Sequence, residues 1–136
     1  MGVTVVDAGV LIAVLDRDDA HHAAARRALS SARSGGELVL PASAYAEILV
    51  LPYRLGGSVV KRTDSFIDRL PARVEPASRR VAATAAKLRA RHGRSLKLAD
   101  ALVLATAEAL RADRVLTTDR GWPPVGVTVE IVGSEA

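Results

Sequence analysis

Carboxylates stand within or at the end of apolar runs at four places in this 136-residue chain. Asp7 closes the run Val3–Val6, Glu47 lies in SAYAEILV, Asp100 in KLADALVLATAEAL, and Asp119 follows VLTT. Three of them have an ordinary reading when taken singly. Asp7 would cap the next helix, Asp119 would brace a turn, and Glu47 would sit favourably near a helix N-terminus. Asp100 resists such a reading. Counted from an N-cap at Ser95, it lies beyond the reach of the helix dipole, and it shares a face with Val103, Leu104 and Ala107. A charge buried there needs a positive partner or a metal ion.

Four oxygen donors, no cysteine and only three histidines favour a hard cation, Mg²⁺ or Mn²⁺, over zinc. His21 and His22 are adjacent, so they diverge on a helix, and His92 reads as a helix end. Gathered without a cation, such carboxylates repel one another and their pKa values rise. With one or two divalent ions they form a site that activates water and holds phosphate oxygens. The expected assignment makes Asp7, Glu47, Asp100 and Asp119 both catalytic residues and metal ligands. Asp16, Asp18, Asp19, Asp64, Asp68, Glu108 and Asp113 sit among polar neighbours or at helix ends and read as solvated charges.

The charge pattern points to a polyanion. The net charge is +4, and nine basic residues between Arg69 and Lys97 face the single acid Glu75. Taken one by one, those side chains also suit a solvated helix face. Together with the acids they fit in-line hydrolysis of a phosphodiester, with some of them, and Arg120, gripping phosphates. Only four aromatic residues, Tyr45, Tyr53, Phe66 and Trp122, are present, which argues against broad base stacking.

The elements that must position these residues alternate. Strands are expected at Val3–Val6, Glu37–Leu40, Ala72–Glu75, Arg114–Thr117 and Val127–Val132. Helices are expected at Gly9–Leu15, Asp18–Arg33, Ser43–Leu51, Ser58–Leu70, Ser78–His92 and Lys97–Leu110, with Ser43 and Ser95 as N-caps and Pro52 ending the third. This alternation predicts an α/β chain, a three-layer α/β/α arrangement around a central, mainly parallel sheet. Residues 1–136 read as one domain. In open parallel sheets the carboxyl ends of the strands meet in one crevice, so Asp7 and Asp119 point to a common site. The apolar stretch Ala8–Leu15 is too short to span a bilayer and no targeting segment is evident; a cytoplasmic protein without membrane contact is the expectation.

The chain resembles the PIN-domain ribonucleases, and among them the VapC-type toxins of type II toxin–antitoxin systems. The likeness rests on VVDAGVLIAVLDRDDAHHAAARRAL, PASAYAEI, LKLADALVLATA and VLTTDRGWP, in that order and over nearly the whole chain. It implies a PIN-like α/β/α domain that binds Mg²⁺ or Mn²⁺ and acts as a metal-dependent endoribonuclease on RNA. It carries the acidic roles to Asp7, Glu47, Asp100 and Asp119, and matches Thr117 to a hydroxyl residue beside the last acid, here a substrate-binding candidate. It further implies a homodimer and a cognate antitoxin whose tail fills a hydrophobic groove and blocks the acidic pocket. Gly9 departs from the pattern, which often has a hydroxyl residue two positions after the first aspartate. One alternative is a catalytically silent PIN-like module that binds nucleic acid or a partner. Another, a receiver-type phosphoacceptor domain, would want an aspartate ending a middle strand and a lysine ending a late one.

Overall fold

The computed structural model describes residues 2–133. Five strands form one sheet: β1 (Gly2–Val6), β2 (Gly36–Pro41), β3 (Ala72–Glu75), β4 (Arg114–Thr117) and β5 (Val129–Ile131). They lie in the order β3-β2-β1-β4-β5, and every pairing is parallel. The apolar runs predicted this. Val5, Val6, Leu38, Val39, Leu40, Val115 and Leu116 are all sealed from solvent, as strands covered on both faces must be. Register places Val6 beside Leu116, so β1 and β4 end together.

Six helices complete the three layers: α1 (Ala8–Leu15), α2 (His22–Gly35), α3 (Ala42–Leu55), α4 (Gly57–Arg69), α5 (Arg79–His92) and α6 (Leu98–Leu110). Helix α6 packs across β1, β2 and β4 and pairs with α5. Ala101, Val103, Leu104, Ala105, Thr106 and Ala107 are buried there, and Thr106 returns its hydroxyl to the Leu102 carbonyl at 2.7 Å. Helices α1 and α2 pair with each other, and α3 with α4. Among the described residues no helix is long and apolar enough to cross a membrane.

The differences from the sequence reading have local causes. Helix α2 begins at His22 rather than Asp18, because Asp16 and Asp19 divert their side chains to the backbone N–H groups of Asp18 and His21. Helix α3 starts directly after β2, with Pro41 in the cap position, so Ser43 falls inside the first turn and caps nothing. Its hydroxyl is buried without a partner. Pro52 does not end α3. It lies near the last turn, buried with Ile48 and Leu49, and packing outweighs the one missing N–H. Ser95 belongs to a short 3₁₀ turn, Gly93–Ser95, and bonds the His92 carbonyl, so α6 opens after Lys97 with no side-chain cap. β5 is shorter than expected, although Val115 N–H reaches the Thr128 carbonyl and Val132 N–H the Thr117 carbonyl.

Candidate active site

β1 sits between β2 and β4, and its connection to β2 leaves the opposite way from β4. The crevice at the carboxyl ends of β1 and β4 is therefore the topological switch point, where parallel sheets bind ligands. Asp7 occupies it. The Asp7 N–H continues the β1–β4 ladder to the Leu116 carbonyl at 2.9 Å, and its side chain accepts from Ala8 N–H at 2.8 Å, so it does cap α1. Its other oxygen accepts from the Thr117 hydroxyl at 2.8 Å. Thr117 is fully buried and also accepts from Asp119 N–H at 3.1 Å, which ties the loop after β4 to Asp7. The candidate substrate contact at Thr117 is thus an internal clasp between two acids.

The other acids approach from different elements. Glu47 projects from α3 and is exposed; Asp100 is half-buried in the first turn of α6; Asp119 is exposed after β4. That first-turn placement corrects the expectation that Asp100 lies too deep in its helix to feel the dipole. All four belong to one electrostatic cluster. Desolvation raises the Asp7 carboxyl above its ordinary value, and Glu47 and Asp119 push it the same way against the Thr117 and Ala8 hydrogen bonds. Asp100 is raised first by desolvation, then by Asp7 and Asp119. Glu47 is raised by desolvation and by Asp100. Each of these acids thus disfavours the charged form of at least one other.

Two residues that the sequence reading left out of the site act on it. Lys97, just before α6, lowers the pKa of both Glu47 and Asp100. Its three-residue spacing from Asp100 was a usable signal. Trp122 has a buried indole N–H without a formed hydrogen bond, yet it acts on the Asp100 carboxylate and favours its charge. No periodicity announces that contact, because a loop makes it. Arg120 is exposed and lines a cavity of about 260 Å³ with Asp119 and Trp122. Of the basic stretch, Arg73 is held by Glu37 at 2.9 Å and by Glu75, and Arg89 donates to the Leu96 carbonyl at 2.8 Å. Those two brace the fold rather than reach outward.

The donor set fits a hard divalent cation. It is all carboxylate oxygen, and three of its members are short of compensating positive charge. Among the described residues no three His, Cys, Asp or Glu side chains already form a metal cage.

A model of the PIN domain matches residues 4–127, nearly the whole described chain. The chain belongs to the PIN-domain family. The three layers around a parallel sheet are thus those of a PIN domain. No curated protein sequence matches significantly. Solved structures share the fold at low identity. VapC20 of Mycobacterium tuberculosis, a sarcin-ricin loop cleaving toxin, is 20% identical with a TM-score of 0.68, covering 82% of this chain and 86% of its own. A toxin–antitoxin complex from Klebsiella pneumoniae gives 21% identity and a TM-score of 0.68 over 89% of this chain and 96% of the other. FitAcB from Neisseria gonorrhoeae gives 24% and 0.67 over 93% and 95%.

Proposed function

We propose that residues 1–136 form a single PIN-like domain that is a Mg²⁺- or Mn²⁺-dependent endoribonuclease, the toxin of a toxin–antitoxin pair acting in the cytoplasm. The observation that carries this reading is the mutually repelling cluster of Asp7, Glu47, Asp100 and Asp119 at the switch point of a PIN-domain sheet. Asp7, Asp100 and Asp119, with Glu47 from α3, are the residues that would hold the ion. A divalent ion bound there supplies Lewis acidity toward phosphate oxygens and water at neutral pH. The chain's own contribution is positional. Thr117 fixes Asp7 and Asp119 relative to each other, Lys97 favours the charged forms of Glu47 and Asp100, and Trp122 favours that of Asp100. Exposed Arg120 and the outward basic residues of α5 are placed to meet an RNA backbone.

The antitoxin has a place to bind. A groove of about 670 Å³ between α1, α3 and α4 is lined by Ile12, Leu15, Leu51, Pro52, Leu55 and Val59. Leu51 and Leu55 are 59% and 63% exposed, more apolar surface than an isolated domain needs. Glu47 also borders the groove, so a peptide with an apolar body and a basic end would fill it and neutralise the acids. Helix α4 supplies one wall of it through Val59, Arg62 and Thr63. A homodimer is part of the same reading. The silent-module alternative differs only in chemistry. The receiver-type alternative finds no support: β2, β3 and β4 end in Pro41, Glu75 and Thr117, with neither the aspartate nor the lysine it requires.

Cleavage of a structured RNA tests the proposal. The purified protein should cut it with Mn²⁺ or Mg²⁺, lose activity with chelator, and lose roughly a hundredfold or more on Asp100→Asn. Cutting that ignores both the ion and the substitution removes the nuclease reading.

A further inference from the structure

Gly9 has no backbone reason to be glycine. It lies in the first turn of α1, and its φ is not among the positive values found at Gly36, Gly56, Gly93 and Gly133. Glycine inside a helix lowers helix stability relative to alanine. What it provides is room. A Cβ built on Gly9 would lie 2.5 Å from the Thr118 hydroxyl oxygen and 3.7 Å from the Thr118 Cβ. Thr118 therefore leans into the space that a side chain at position 9 would take, over the first turn of α1 and two residues past Asp7.

That hydroxyl is also uncommitted. The hydroxyls of Thr63, Thr106 and Thr117 donate to the Val59 carbonyl, the Leu102 carbonyl and Asp7. Thr118 makes no such bond among the described residues and is half-buried rather than sealed. It stands between Thr117 and Asp119, at the rim of the acidic cluster. A phosphate entering that cluster meets carboxylates, which when ionised only accept hydrogen bonds, and a Thr117 donor already given to Asp7. Thr118 is a neutral donor beside the acids, as is the Trp122 indole N–H, which is buried without a partner.

We propose that the Thr118 hydroxyl, seated in the gap left by Gly9, donates a hydrogen bond to a non-bridging oxygen of the RNA phosphate bound at the acidic cluster. The inference rests on the nuclease reading and adds a substrate-contacting residue to it. A purely structural role makes the opposite prediction for two conservative variants. Thr118→Val keeps the shape and loses the hydroxyl, whereas Thr118→Ser keeps the hydroxyl and loses the methyl group.

The test measures Mn²⁺-dependent cleavage of one RNA, with kcat and KM separated, alongside the melting temperature with and without Mn²⁺. Thr118→Val should lower kcat/KM roughly tenfold, the scale of one hydrogen bond to a charged group, with the Mn²⁺-induced melting shift intact. Thr118→Ser should retain most of the activity. Thr118→Ala should lose it as valine does, and adding Gly9→Ser should restore a large part, because a serine oxygen there falls close to the vacated position. Gly9→Ser alone should be impaired by the clash. Wild-type cleavage by Thr118→Val overturns the inference, as does a Thr118→Ser loss equal to that of valine, or no recovery in the double variant. A wild-type protein without metal-dependent cleavage brings down the nuclease reading as well, a result distinct from these.

Discussion

Asp7 is 8% exposed, and it is asked to carry charge in the interior. It caps α1, binds Thr117 and faces other acids, so its carboxylate is both structurally wired and electrostatically disfavoured. Such a conflict is typical of functional positions, where local stability yields to chemistry. Asp7→Asn keeps an acceptor for Ala8 N–H and removes the charge. The metal-free variant should melt no lower than wild type, and the rise in melting temperature caused by millimolar Mn²⁺ should vanish. Differential scanning fluorimetry reads both, and a retained Mn²⁺ shift would exclude Asp7 as a ligand. The raised carboxyls also set a pH dependence. Asp7, Glu47 and Asp100 hold protons more readily when folded than at their ordinary values of 3.8 for aspartate and 4.5 for glutamate. Their stabilising contribution is thus complete below those values and is lost as pH climbs through the raised ones. Melting temperature of the metal-free protein should fall across that window, and divalent ion, which binds the ionised forms, should flatten the fall. A decline unaffected by Mn²⁺ would place its cause outside the cluster. At this scale the four acids were legible because two lie within apolar helices and two stand at the ends of apolar strands. Trp122 was missed because only tertiary packing brings it to the acids, whereas Lys97 had its three-residue spacing from Asp100 as a signal.

The elements hold the acids by different means. Asp7 and Asp119 are fixed by adjacent parallel strands, whose continuous apolar runs ended visibly in the sequence. Glu47 and Asp100 depend on how α3 and α6 dock, which no periodicity specifies. Helix α6 is the more deeply buried of the two, with Leu104 1% exposed. Leu104→Ala should cost about 2–5 kcal/mol in denaturant unfolding. A smaller loss would mean that α6 is packed more loosely than its burial implies. Helix α3 was read as ending at Pro52, and its real extent to Leu55 is what creates the exposed apolar wall. Propensity alone favoured a break; burial of the proline ring reversed it. Leu51→Glu with Leu55→Glu should abolish co-purification of a co-expressed antitoxin while metal-dependent cleavage persists. Retained co-purification would move the partner off this groove.

As a whole the molecule combines an acidic crevice with a net charge of +4, which would draw the proposed RNA substrate toward acids that would otherwise repel it. The alternation of strands and helices made the three layers and the parallel sheet readable in advance. Strand order followed only from the structure, since sequence order and spatial order differ once β1 becomes central. That centrality is what sets Asp7 at the switch point beside the loop of Asp119. Everything functional then depends on one claim, that the acids share a divalent ion. Anomalous diffraction from a crystal soaked in millimolar Mn²⁺ tests it most directly. The account predicts a peak enclosed by Asp7, Glu47, Asp100 and Asp119, absent in Asp100→Asn. An empty crevice, or a peak unchanged by that substitution, would contradict it.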